Sequence, residues 1–267
     1  MKMTVAEIIA AIDAQNDDLP RRALEEAMAR PSEVTQPLLD MVQDICRDTT
    51  TVMDPNNRSI GYVIALYLLA QFREPRAYPL AIQALALVEV DMDALFGDML
   101  VEDMARILAS VSGGDLRGIR YLIEDPGVDP RVRSLALDAL YCLVTSGVCE
   151  RETIVEYLTG LYCGALERLP APVWTALVRV TSWLGPEELY LEIQRVYQEG
   201  LLVGDHIDSL MEQVESNYIY GLELGEPYVS DTGAHGLVGN TLFEIGGYAL
   251  FNPTTRLSPE DYQGRPY

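Results

Sequence analysis

Two histidines, His206 and His235, and four cysteines, Cys46, Cys142, Cys149 and Cys163, are the side chains here best suited to nucleophilic or metal chemistry. None of the cysteines stands in a Cys-x-x-Cys pair, the spacing that a zinc ribbon or a dithiol redox centre needs. No His-Glu-x-x-His, phosphate-binding Gly-rich loop, Gly-x-Ser-x-Gly or calcium loop occurs. The thiols read as small hydrophobes in a reducing compartment. His206, in LVGDHIDSL, reads as a residue near a helix start. His235, in DTGAHGLVGN, reads as a loop residue: its glycines would let backbone amides approach an anion, but no strand precedes them and no long helix follows. Asp91, Asp93 and Asp98 lack the alternating ligands and central glycine of a calcium loop and read as a solvated turn. No catalytic residue, metal or cofactor is expected.

Carboxylates are the abundant reactive type. The chain holds 41 acidic and 19 basic residues, for a net charge of −22, and its one lysine is Lys2. Residues 149–216 carry 12 acidic and 4 basic side chains, net −8, the most negative stretch. Within it Glu188, Glu192 and Glu199 share a helical face at i, i+4 and i+11, with Arg195 placed to pair at three and four residues. Such a face is solvated, or it docks a basic protein partner. A surface this acidic repels nucleic acid backbones and anionic membranes. Two further classes fit it: a hydrolase working through paired carboxylates, with or without a metal, and a mimic of nucleic acid that fills a basic groove. An interaction scaffold fits better, because few catalytic residue types are available.

The elements that position these residues are helical. Apolar residues recur at three- and four-residue spacing almost to Asn217. Thr4 with Glu7 forms a capping box ahead of a helix over 4–14. Further helices are expected near 20–29, 37–46, 59–72, 75–89, 100–111, 115–124, 130–146, 151–167, 171–184, 186–200 and 204–217, with a loop over 48–58 and a short helix or turn over 91–99. Joins of two to six residues make neighbouring helices antiparallel. Residues 218–267 are rich in Gly and Pro and read as an irregular C-terminal extension docked on the 1–217 body; 240–251 reads as a strand pair or extended segment. The first residues place acids too early for a signal peptide, and Ile60–Ala70 is about half the length a membrane span requires. A cytoplasmic location follows.

Segments 74–85, EPRAYPLAIQAL, and 129–140, DPRVRSLALDAL, align without gaps and indicate an internal repeat. The second resembles HEAT-like repeats at Asp129, Val132, Arg133, Ala136, Ala139 and Leu140. The resemblance implies an all-α superhelix of antiparallel helix pairs, with Asp129 and Arg133 in a polar ladder between units. Tyr78 stands where the first copy would hold the arginine. PRRALEEAMARPSEVTQPLLD (20–40), YLLAQFREPRAYPL (67–80), FGDMLVEDMARILASV (96–111) and VRSLALDAL (132–140) resemble an uncharacterised bacterial family of helical proteins. Relatives often end in a Cys/His-rich SEC-C zinc motif, and no cysteine follows Cys163 here. That resemblance implies the fold and a bacterial cytosol, and no activity.

Overall fold

A computed structural model describes residues 2–14, 19–50, 60–87, 90–97, 99, 103–225, 229 and 236–246. His235, Asp98 and the side chain of Asp93 lie outside the described residues, as do nearly all of the expected 48–58 loop and residues 247–251. Among the described residues every regular element is a helix.

The first three are α1 (Val5–Ile12), α2 (Arg21–Met28) and α3 (Pro31–Arg47). The Thr4 hydroxyl accepts the Glu7 amide at 3.2 Å and the Glu7 carboxylate accepts the Thr4 amide at 2.7 Å, so two orphan donors are satisfied reciprocally at the α1 start. Next come α4 (Gly61–Gln71), α5 (Ala77–Leu85), α6 (Met92–Phe96), α7 (Met104–Ser112) and α8 (Arg117–Glu124). Almost every side chain of α4 is buried, which accounts for its apolar residues on all sides. The second half holds α9 (Pro130–Thr145), α10 (Arg151–Gly160), α11 (Pro172–Trp183), α12 (Tyr190–Gln198), α13 (Ile207–Leu224) and α14 (Thr241–Gly246). A wide π-helical turn, Leu161–Ala165, follows α10, with Gly164 at φ 128°.

Packing follows chain order. Helix α3 lies on α1, α2, α4 and α5; α7 lies on α4, α5 and α9; α9 lies on α7, α8, α10 and α11; α13 lies on α11. Helix α14 breaks the order by returning to α2 and α4.

Several boundaries depart from the sequence expectation. Helix α3 starts at Pro31, ahead of the expected 37, with Pro37 inside it. Helix α13 runs to Leu224, past the expected end at 217, and stops at Gly225 in the left-handed region at φ 74°. Exposed aromatic and apolar side chains after Asn217 hide the helical period there, and Gly221 resembles a terminator. Residues 241–246 form a helix in place of the expected strand pair or extended segment. Asn240 starts it by accepting the Phe243 amide on its side chain at 3.2 Å, an N-cap that outweighs the strand-like composition of TLFEI.

The α5–α8 contact shows how one layer holds the next. Gly118 is needed for close approach, because a Cβ there would stand 2.6 Å from Ile82 and 2.9 Å from the Tyr78 hydroxyl. That hydroxyl accepts the Ile119 amide at 3.0 Å and so serves as a cap for α8, which has no side-chain cap of its own. Tyr78→Phe leaves this buried donor unpaired and should lower unfolding free energy by about 1–3 kcal/mol. Urea denaturation measures it; an unchanged midpoint would show the tie to be dispensable.

Candidate functional site

The polar chemistry of this molecule is concentrated where arginines pass between helices. Arg133, on α9, is 4% exposed. Its Nε donates to the Ile123 carbonyl at the end of α8 at 2.9 Å, and its Nη2 to Glu167, in the loop before α11, at 3.0 Å. The Arg133 guanidinium holds the Glu167 carboxyl below the usual glutamate range. Asp129 caps α9, accepting the Arg131 amide at 2.8 Å and pairing with the Arg131 guanidinium at 3.0 Å. The two residues singled out by the repeat are therefore both engaged, in separate contacts. Tyr78, at the aligned position of the first copy, also faces α8.

The glutamate strip is similarly committed. Glu188, in the turn before α12, accepts both Nη groups of Arg151 at 2.8 Å; Arg151 also donates to the carbonyls of Leu184 and Gly185. Glu192 pairs with Arg195 at 2.6 Å. Glu199, just past α12, accepts Arg168 Nε at 3.0 Å. Each of the three carboxylates is matched by its own cation.

An unmatched acidic surface lies one element further along. Helix α13 carries Asp208, Glu212, Glu215 and Glu223 and no basic residue. Interleaved with them are Ile219, Tyr220, Leu222 and Leu224, each 46–59% exposed. The other face fixes the helix to the body. Asn217 donates to the Ser182 carbonyl and hydroxyl at 3.0 Å, and Tyr218 stacks on Tyr190 with ring centroids 4.0 Å apart. Gly221 leaves room for the Glu187 side chain, which any Cβ there would strike. Glu212, Glu215, Ser216, Ile219, Tyr220 and Glu223 line one shallow depression. The signal for this face was the cation-free run ESNYIYGLEL, obscured by an extension expected to start at 218.

Arg106, on α7, forms a second polar centre. Its guanidinium donates to Asp103 at 2.6 Å, to both Glu244 oxygens at 2.8 and 2.9 Å and to the Gly236 carbonyl at 2.8 Å. Tyr67 donates to the other Asp103 oxygen at 2.6 Å. Ser110 Oγ accepts the Val238 amide at 2.9 Å and Gln71 the Thr241 amide at 2.8 Å. Residues 236–246 are thereby strapped across α4 and α7.

The remaining sequence candidates are dispersed. His206 is exposed at the start of α13, with no side-chain capping bond. The cysteines are free thiols: Cys142 is buried, which pushes its thiol up to about 12, and Cys163 is exposed on the π-helical turn. Among the described residues no three His, Cys, Asp or Glu side chains gather into a group that could hold a metal ion.

An all-helical chain whose layers are joined by arginines is the class that this geometry defines. The family model described as a protein of unknown function (DUF1186) matches residues 3–252, and the chain belongs to that family. It is 36% identical over 216 residues to a protein of Chlamydia trachomatis serovar D, covering 81% of this chain and 84% of the relative. It is 35% identical over 214 residues to one of Chlamydia muridarum, covering 80% and 84%. Both are named only as uncharacterized proteins. No solved structure matches the chain.

Arg133→Ala should destabilise the fold by about 1–3 kcal/mol, since it strands a buried carbonyl and a carboxylate. Arg133→Lys should recover only part of that, because an ammonium cannot span both acceptors as the planar fork does. Thermal unfolding of both variants decides it. A second expectation concerns the strap. The Arg106 bond lowers the Glu244 pKa. The stability this contributes is present above the unfolded glutamate value of about 4.3 and is lost as pH falls through the lower folded value. Hydrogen exchange of the 236–246 amides should therefore show reduced protection at acid pH, while α9 amides stay protected.

Proposed function

We propose that this chain is a cytoplasmic protein-interaction scaffold, an α-solenoid of HEAT-like helix pairs that docks a basic, amphipathic protein segment on α13. The observation that carries this reading is the outer face of α13, where four carboxylates that pair with no cation among the described residues surround exposed Ile219, Tyr220, Leu222 and Leu224. Apolar side chains give such a face area to bury, and unpaired carboxylates select a cationic partner and steer its approach.

The solenoid reading is supported by the spacing of polar ties. Tyr67–Asp103, Tyr78–Ile119, Tyr157–Glu124, Arg133–Glu167, Arg151–Glu188, Arg168–Glu199 and Arg179–Asp138 join residues 31 to 41 apart. Those separations are close to the roughly 40-residue unit of HEAT arrays. Gly225 ends the helical body, and the extension begins after it. Among the described residues no helix is long and apolar enough to cross a membrane.

The test is surface plasmon resonance with a synthetic Lys/Leu amphipathic helical peptide. Binding should weaken as salt rises from 0.01 to 0.1 M, as the Debye length falls from about 30 to about 10 Å. The variant Glu212→Lys/Glu215→Lys/Glu223→Lys and the variant Ile219→Ser/Leu222→Ser should each weaken it about tenfold or more with an unchanged helical circular dichroism signal. Equal affinity in all three proteins would overturn the assignment of this face. The variant Glu188→Lys/Glu192→Lys/Glu199→Lys should instead lower stability, because Arg151, Arg195 and Arg168 lose their partners.

A further inference from the structure

Among the described residues three arginines lie over aromatic rings, and they are not equivalent. Arg168 sits 5.5 Å from the Trp174 ring and also binds Glu199. Arg179 sits 5.3 Å from the Trp183 ring and also binds Asp138 at 2.8 Å. Arg120, on α8, is the closest of the three, 4.4 Å from the Tyr157 ring on α10. Among the described residues no carboxylate or carbonyl engages it, and its Nε is sealed from solvent without a hydrogen-bond partner. Glu124, one helical turn further along α8, could pair with Arg120, but it accepts the Tyr157 hydroxyl at 2.9 Å instead. The tyrosine therefore both supports the guanidinium and engages a neighbouring carboxylate.

The stacked pair borders a cleft of about 430 Å³ between α8 and α10, lined also by Thr153, Glu156, Gly160 and Ala165. Gly160 and Ala165 bracket the π-helical turn, an insertion that recurs at binding sites. A Cβ on Gly160 would meet nothing within 4 Å, so that side of the cleft is open.

We propose that this cleft binds a free carboxylate carried next to a cationic group, as in a basic amino acid or the C-terminal basic residue of a peptide. The ligand carboxylate takes at Arg120 the place that Glu199 and Asp138 fill at the other two stacked arginines, with the Thr153 hydroxyl as a second donor. A guanidinium fork fits a carboxylate through two parallel bonds, and a stacked one is already oriented. Glu124 and Glu156 flank the site with two negative charges against one positive charge. A bare anion is repelled by that balance, and a ligand with a cation beside its carboxylate matches it. This inference is independent of docking on α13, which uses other residues.

Isothermal titration with L-arginine, agmatine, acetate, Gly-Gly-Arg and Gly-Gly-Arg amide tests it. Agmatine and the amide keep the guanidinium and lack the carboxylate. L-Arginine or Gly-Gly-Arg should bind at millimolar concentration or better, about tenfold or more tighter than the counterpart without a carboxylate. Preference between those two identifies a free amino acid or a peptide terminus as the source. Arg120→Met should abolish the preference. Thr153→Val, an exposed substitution that leaves the stack intact, should reduce affinity several-fold, so the proposal stays testable if Arg120→Met unfolds. Tyr157→Phe keeps the ring and frees Glu124 to pair with Arg120, and should also lose binding. Equal binding of agmatine would leave only an acidic rim, equal binding of acetate only a general anion site, and no binding of any probe no site at all; each overturns the proposal.

Discussion

A guanidinium lying between two helical layers, bonded to a carbonyl or carboxylate on the far side, is the interaction on which the polar organisation of this chain depends. Arg30 joins the end of α2 to the Met3 carbonyl ahead of α1, Arg106 joins α7 to the strap, Arg133 joins α9 to α8 and the loop before α11, and Arg151 joins α10 to the turn after α11. Helices packed through small and branched side chains leave their terminal carbonyls facing one another, and these need donors. A planar group with five N–H bonds satisfies several at once, which a lysine cannot do. Eighteen arginines against one lysine is the compositional trace of that role.

The same interaction governs which acids remain free. The net charge of −22 suggests a uniformly acidic coat, but the arginines consume carboxylates selectively. Glu188, Glu192 and Glu199, the most regular acidic series in the sequence, are all neutralised locally. Free charge remains on α13 among other places: among the described residues Asp208, Glu212, Glu215 and Glu223 pair with no arginine. Charge counting along a chain thus misjudges which carboxylates stay unpaired whenever the matching cations come from other helices.

Much of the fold was legible because it rests on short-range signals. The capping box at Thr4, the prolines opening α9 and α11, and the all-round apolar character of α4 each state a helix within a few residues. The HEAT-like resemblance of 129–140 drew attention to Arg133, which the structure buries between α8 and the loop before α11. The elements misread were those decided by distant partners. Helix α14 forms on α2 and α4, so its sequence reads as strand in isolation, and the last turns of α13 leave apolar side chains in solvent and so lack an amphipathic signature. The Arg120 cleft had no local signal at all. It depends on a tyrosine 37 residues away diverting Glu124, a fact about two side chains meeting across helices.

The strap over Arg106 also imposes an order of events on synthesis. The body is closed by contacts 31 to 41 residues apart, whereas Arg106 meets Gly236 and Glu244 across 130 and 138 residues and Gln71 meets Thr241 across 170. A ribosome adding 5–20 residues per second needs roughly 7–34 s to make those 130 to 170 residues. Throughout that interval Arg106 and Gln71 lack the partners that the strap supplies. Helices nearest the strap are therefore where a nascent chain of this family has most need of either speed or a chaperone.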